Sequence, residues 1–387
     1  MGYNNYEEQL KNAIEYAAIT GSFDKRNIID SSENVCVFGL GRYFEEAFEQ
    51  QNVKERFHVN LLCDNNKEKL EEVSNRGGYF KGIECVSLNE LSHMNNVAII
   101  LMLGDPRSAE TQLRELGFNN IITYNDMVLD EVMNGNRDKE WFKDQEEEIF
   151  KAYNILKDEE SKKVFVNVLC NRIAPQFSKY KYDEICVLPQ YFPSDILGFT
   201  DNESFVDCGA YDGDTLESFL KVTNEKFSSA YSFELDKDNY DKLCSNARML
   251  SKSVSEKIEC FNYGVWNENK TISYGKMSSS DSFSIFNEKE ITTAKVVKLD
   301  DLLGNRKVTM IKMDIEGAEM MALEGSNKII TEQKPKMAIC VYHRVEDLWK
   351  IPIYLKKLVP SYNISIRHHA NFWVSETVCY AYVESIT

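Results

Sequence analysis

The residues of this chain best placed to do chemistry lie in the run Phe205-Val206-Asp207-Cys208-Gly209-Ala210-Tyr211-Asp212-Gly213-Asp214-Thr215. The pattern is an apolar strand, a turn carrying two glycines, and the start of a helix. At the carboxyl end of a strand, glycine lets a ligand approach the backbone, and the helix that follows offers free N–H groups. Three features depart from an ordinary dinucleotide turn: Asp207 stands inside it, the glycines are spaced G-x-x-x-G, and Asp212 and Asp214 crowd the place of a pyrophosphate. Clustered carboxylates disfavour a dianion. They suit a ligand with a positive end, such as the amino group and sulfonium of S-adenosylmethionine.

Glu234 ends the next apolar run, Tyr231-Ser232-Phe233-Glu234, 21 residues after Gly213. An acid at the tip of the second strand is placed to accept hydrogen bonds from two ribose hydroxyls. Taken singly, Asp207 reads equally well as a helix cap and Glu234 as a solvated loop acid; in order and in register they favour a site. A third acidic strand end follows in Met310-Ile311-Lys312-Met313-Asp314-Ile315-Glu316-Gly317-Ala318-Glu319. Asp314, Glu316 and Glu319 there either complement a helix N-terminus or form the floor of an acidic pocket.

Over about 185–385 the chain resembles the FkbM-like S-adenosylmethionine-dependent methyltransferases. The resemblance rests on the 206–215 turn, on Phe233-Glu234, on Lys298-Leu299-Asp300-Asp301-Leu302 and above all on Lys312-Met313-Asp314-Ile315-Glu316-Gly317-Ala318-Glu319, with Gln190-Tyr191-Phe192 and Val341-Tyr342-His343 as further family-like positions. It implies a seven-stranded methyltransferase sheet with an antiparallel last strand, and O-methylation of a sugar, nucleotide sugar or related natural-product hydroxyl. Carried over, Asp207, Gly209, Ala210, Tyr211 and Gly213 would cradle the methionine half of the cofactor and Glu234 its ribose. Asp314 would also border the cofactor, and the adenine would lie near Asn262-Tyr263-Gly264-Val265.

Methyl transfer from a sulfonium needs alignment and a base for the hydroxyl proton. His343 is the leading candidate, since it ends a strand on the same edge as Asp314 and its ordinary pKa is near neutrality. Asp314 and Glu316 compete with it, as base or as ligands for a divalent cation that would acidify a sugar hydroxyl. His368 and His369 sit on a late strand whose alternation points them to opposite faces, and read as structural. The run Ser278-Ser279-Ser280-Asp281-Ser282 reads as a polar loop that could line the mouth of the site.

The elements that must position these residues form two α/β series. Strands are expected at 34–38, 57–63, 97–103 and 120–124 with helices at about 42–52, 66–75 and 106–117, and a second series begins at Ser204. Between them, Trp141, Phe142, Ile149, Phe150, Tyr153, Leu156, Val164, Phe165, Val168 and Leu169 recur at helical spacing. The expected architecture is therefore α/β: two doubly wound Rossmann-like domains, an N-terminal one over 1–130 and a methyltransferase domain over 191–387, joined by a helical connector at 131–190. In the first, Gly39-Leu40-Gly41 and the later Asp64 resemble a nucleotide-binding start, but Phe44 replaces the third small residue of that fingerprint. Ligand binding, a scaffold role and homodimerisation stay open for it.

The net charge of −17 and the lack of a Lys/Arg run argue against a nucleic-acid partner. Ten cysteines without a C-x-x-C pair read as reduced, mostly buried thiols. The N-terminus lacks a signal-peptide pattern and no run reaches 18 apolar residues, so a cytoplasmic protein without a membrane span is expected. Two alternatives to an O-methyltransferase remain at this level: a non-catalytic sugar-nucleotide binding protein, and an NAD-dependent oxidoreductase using the first domain, although no Tyr-x-x-x-Lys follows Gly41.

Overall fold

Short apolar runs alternate with helical stretches, and the chain folds accordingly into two largely parallel sheets with helices packed on their faces, beside a third, four-stranded sheet. The computed structural model describes residues 5–20, 25–124, 140–173, 178–276, 283–284, 291–371 and 375–384. The serine-rich run 278–282 lies outside the described residues. Strands β1 (Asn34–Phe38), β2 (Leu61–Cys63), β3 (Glu84–Cys85), β4 (Val97–Leu101) and β5 (Ile121–Thr123) form a parallel sheet in the order β3-β2-β1-β4-β5. Its strands alternate between two cores: Val35 and Val37 pack to one side, Cys36 and Phe38 to the other. Strand β2 is shorter than the apolar run 57–63 because the preceding helix Val53–Arg56 has not finished: the N–H groups of Phe57 and Val59 donate to the carbonyls of Val53 and Lys54. The two-residue edge strand β3 was not expected.

The second unit contains β6 (Ser204–Cys208), β7 (Ser229–Phe233), β8 (Ile258–Phe261), β9 (Gly264–Val265), β10 (Lys270–Lys276), β11 (Phe283–Ser284), β12 (Ile291–Val297), β13 (Met310–Met313), β14 (Lys336–Cys340), β15 (Asn363–His368) and β16 (Thr377–Tyr382). Seven of these make one sheet in the order β15-β16-β14-β13-β6-β7-β8, parallel except for β16, which runs antiparallel to both neighbours. The antiparallel last strand is as expected. A four-stranded sheet, β11-β10-β12-β9, was not, because β10 and β12 interrupt their apolar residues with Thr, Ser and Lys and lack the continuous apolar run that marks a buried strand.

The connector region holds the helices Trp141–Asp144, Glu146–Ile155 and Glu159–Ile173, while its described end, 178–190, is irregular but for one 3-10 turn at Tyr182–Glu184. The helix Glu159–Ile173 lies on the large sheet and buries Val164, Phe165, Val168 and Leu169. The helix Tyr6–Thr20 joins the same core through Leu10, Ala13, Ile14 and Ala17, so this helix packs into the core of the large sheet rather than that of β1–β5. Arg367 on β15 ties these layers together: its guanidinium lies 3.1 Å from Asp158 Oδ1 and 2.7 Å from Asp195 Oδ2. All ten cysteines are free thiols, six of them buried. Among the described residues, no helix is long and apolar enough to cross a membrane.

Candidate active site

The carboxyl ends of β6, β7 and β13 face one pocket, lined among others by Gly209, Tyr211, Glu234, Lys312, Asp314, Glu316, Trp266 and Glu376. Strand order reverses between β6 and β13, the point at which open α/β sheets hold their ligands.

Gly209 makes the close approach that the turn requires. Its φ is +81°, and a Cβ placed there would lie 1.9 Å from the carbonyl oxygen of Asp314. The N–H groups of Gly209 and Ala210 both donate to Phe233 O, which draws the turn against the end of β7. Ala210 is buried in the turn and Gly213, at φ +101°, starts the helix Asp214–Val222; neither lines the pocket. Tyr211 does line it and donates its N–H to Glu234 Oε2 at 2.8 Å, while Asp236 N–H donates to Oε1 at 2.8 Å. Glu234 is thus fixed by two amides at the strand tip, and burial pushes its carboxyl up to about 7.

Asp207 is not among the residues that line the pocket. It is fully buried within β6, one layer beneath the pocket, and faces Lys312 of β13 at 3.0 Å. Burial pushes its carboxyl up to about 6 against the opposing pull of Lys312. Lys312 does reach the pocket. It donates from Nζ to Gly209 O at 2.6 Å, and although burial works against its charge, Asp207 and Asp314 hold it firmly protonated. Asn262 likewise braces the site from outside, donating to the carbonyls of Glu234 and Leu235, whereas Tyr263, Gly264, Val265 and Trp266 form the wall itself.

Asp314 accepts hydrogen bonds from Tyr191 at 2.7 Å and Tyr342 at 3.1 Å. Burial would raise its pKa, but Lys312, His343 and the two phenols hold it below the ordinary value. His343 stands behind it among carboxylates: Nδ1 is 2.9 Å from Glu319 Oε1, and Nε2 is 3.4 Å from Asp314 and 3.5 Å from Glu316. Burial alone would lower its pKa, yet Glu319, Glu316 and Asp314 carry it up to about 10. The three carboxylates thus favour the protonated ring, which works against the role of resting base expected of it. Asp314, Glu319 and His343 present donor atoms within 4.8 Å of one another, but Glu319 and His343 are already hydrogen-bonded and the ring itself supplies the positive charge there.

The pocket also contains Glu376, Tyr274 and Ile272, which the sequence did not mark, and Gln190, which it marked only as a family-like position. Gln190 and Glu376 line it and are hydrogen-bonded to each other, and Tyr274 and Ile272 reach it from β10. His368 and His369 prove structural: the first is 2.9 Å from Thr377 Oγ1, and the second is held by Val187 O and the Tyr380 hydroxyl, with burial lowering its pKa to about 4.

The glycine turn of the first sheet is closed by its own neighbours. Leu40 N–H donates to Asp64 Oδ2 at 2.6 Å, and a Cβ on Gly39 would meet Leu103 at 2.5 Å. Asp64 also accepts from Asn66 N–H at 2.7 Å, so it is held by two amides as Glu234 is.

Residues 207–363 match the methyltransferase FkbM domain family. A crystal structure of methyltransferase FkbM from Methylobacillus flagellatus KT superposes with a TM-score of 0.73 at 22% identity, covering 96% of this chain and 99% of that one. Fibrillarin from Aeropyrum pernix, solved with bound S-adenosyl-L-methionine, matches at 11% identity over 48% of this chain and 70% of its own, with a TM-score of 0.31. An rRNA methylase from Streptococcus thermophilus matches at 12% identity over 48% and 89%, with a TM-score of 0.31; both of these scores are too low to establish a common fold. No curated protein matches the chain. Residues 207–363 thus carry the match to the methyltransferase FkbM domain, in a chain that shares the fold of the Methylobacillus protein along nearly its whole length.

Proposed function

We propose that this protein is an S-adenosylmethionine-dependent O-methyltransferase whose acceptor is a hydroxyl of a sugar, nucleotide sugar or related glycan or natural-product precursor. The observation that carries the reading is the charge of the pocket. Among the described residues its lining includes five carboxylates, Asp214, Glu234, Asp314, Glu316 and Glu376, against one cation, Lys312, which is already committed to Asp207 and Gly209 O. That donor set fits a ligand bearing a diol, an amine and a positive sulfur, and fits poorly a pyrophosphate lying in the turn. When bound, such a cofactor supplies a methyl group on a sulfonium, ready for direct displacement.

The protein's part is binding, orientation and proton removal. Glu234, held by Tyr211 and Asp236, is positioned to accept from the ribose hydroxyls. Tyr263, Val265 and Trp266 provide an apolar wall for the adenine. Asp314, kept ionised by Lys312 and His343, faces the place where positive charge and acceptor meet. The acidic lining favours an uncharged hydroxyl-bearing group beside the methyl, with any phosphate of a nucleotide sugar held away from it.

Calorimetric titration with S-adenosylhomocysteine tests the reading, with NAD and a nucleotide sugar as parallel titrants. Binding near ~1 μM, weakened roughly 100-fold in Glu234→Ala for the loss of two hydroxyl contacts to a carboxylate, is expected. Binding of NAD alone would transfer the function to the first sheet and overturn it.

A further inference from the structure

Methyl transfer to a hydroxyl releases a proton, and the groups nearest the reacting end of the pocket differ in their capacity to take it. His343 holds its proton among three carboxylates, and Asp314 is kept ionised by a lysine, an imidazolium and two phenols. Both are poor acceptors for opposite reasons: one has no vacant lone pair, the other binds a proton too weakly.

Glu376 differs from both. It precedes β16 with a left-handed backbone, φ +64°, a conformation that a glutamate adopts only when its surroundings impose it. Its main-chain carbonyl accepts from His369 N–H at 2.9 Å, and its side chain is aimed into the pocket with one oxygen held by Gln190. The carboxyl faces Asp314 and Glu316 from the loop after β13, Cys340, Tyr342 and His343 from β14 and its end, and Gln190 and Tyr191 from the segment before β6. Neither Gln190 nor Glu376 falls within the residues matched by the family.

We propose that Glu376, oriented by Gln190, is the catalytic carboxylate that takes the proton of the acceptor hydroxyl. The assignment rests on the methyltransferase reading above. In the step, a lone pair of the acceptor oxygen forms the O–CH3 bond, the S–CH3 bond breaks with its electrons remaining on sulfur as a neutral thioether, and the hydroxyl proton passes to Glu376. The group is suited to this cycle. Burial and the charge of Asp314 push its carboxyl up to about 7, so a sulfonium arriving beside it drives off its proton and leaves it a base, and loss of that positive charge after transfer lets it hold the new proton.

The test needs no identified acceptor. Proton release on binding S-adenosylmethionine and S-adenosylhomocysteine is measured at pH 6.5 by calorimetry in buffers of different ionisation enthalpy. The two ligands share every group that Glu234 meets and differ in the charge on sulfur, so their difference isolates the reacting end. The wild type is expected to release roughly half a proton more with the sulfonium ligand. Glu376→Gln should abolish the difference while keeping S-adenosylhomocysteine affinity within a few-fold. Gln190→Met, which removes a bond favouring the ionised carboxyl, should move the difference to higher pH. An equal difference in Glu376→Gln would assign the proton to another group such as His343 and overturn the proposal, as would no difference in the wild type. Failure of both ligands to bind would overturn the methyltransferase reading itself, and this assignment with it.

Discussion

Lys312 and Asp207 are direct partners across the ladder between β13 and β6, with Nζ and Oδ1 3.0 Å apart and neither side chain more than 2% exposed. A charge in the middle of a parallel sheet is tolerable only when its counter-charge is buried with it. Lys312→Met is expected to cost about 3–5 kcal/mol by leaving Asp207 unpaired, and adding Asp207→Asn should recover much of that loss. Denaturant unfolding of the two single variants and the double variant checks the coupling; additive losses would show that the pair does not act as a unit.

Gly209 is the point where two backbones touch. Gly209→Ala combines a left-handed φ with a Cβ 1.9 Å from Asp314 O, and neither can relax without separating the ends of β6 and β13. A destabilisation of about 3 kcal/mol or more is expected, with loss of S-adenosylhomocysteine binding. A variant with wild-type melting temperature and affinity would show that the turn has room to yield.

The His343 imidazolium makes stability pH-dependent in a definite direction. Its proton is bound more tightly in the folded protein, up to about 10, than in an unfolded chain near 6.5. The stabilisation is complete below pH 6.5 and is lost as pH rises through 10. Unfolding free energies should therefore decline by on the order of a few kcal/mol across that interval in the wild type, and decline less in His343→Gln. Parallel curves for the two proteins would contradict the assignment.

Much of the site was legible because its residues are polar groups at the ends of apolar runs. Glu234, Asp314 and the Gly209 turn could be placed from spacing alone, since a parallel sheet delivers all its strand ends to one edge. Lys312 carried a signal that went unused: a lysine within Met310-Ile311-Lys312-Met313 demands a buried acid, and Asp207 is its register partner. That pairing explains why Asp207 lies under the pocket rather than in it. Glu376 and Gln190 could not be found in this way. They meet only because β16 returns antiparallel beside β14, and no local pattern encodes a contact across 186 residues. The state of His343 was also hidden, because it depends on three carboxylates that the fold gathers around one ring.

The helix Glu159–Ile173 buries ten of its fifteen residues, and Arg367 grips Asp158 at its start. A fragment covering only 191–387 lacks Phe165, Val166 and Leu169 and would expose the sheet residues that this helix covers. Such a fragment is expected to be insoluble or molten, showing dye binding and poorly dispersed NMR signals. A well-dispersed spectrum from 191–387 would show that the helix is dispensable.

The helix Tyr6–Thr20 shares a core with the large sheet, while β1–β5 and their helices pack around cores of their own. The methyltransferase body is thus assembled from both extremities of the chain, and the first sheet is a guest carried between them. The opening helix meets its partners, Trp141–Asp144 and Glu159–Ile173, only after the first sheet has been made. In exchange, the guest can be enlarged, replaced or removed in descent without opening the hydrophobic interior of its host.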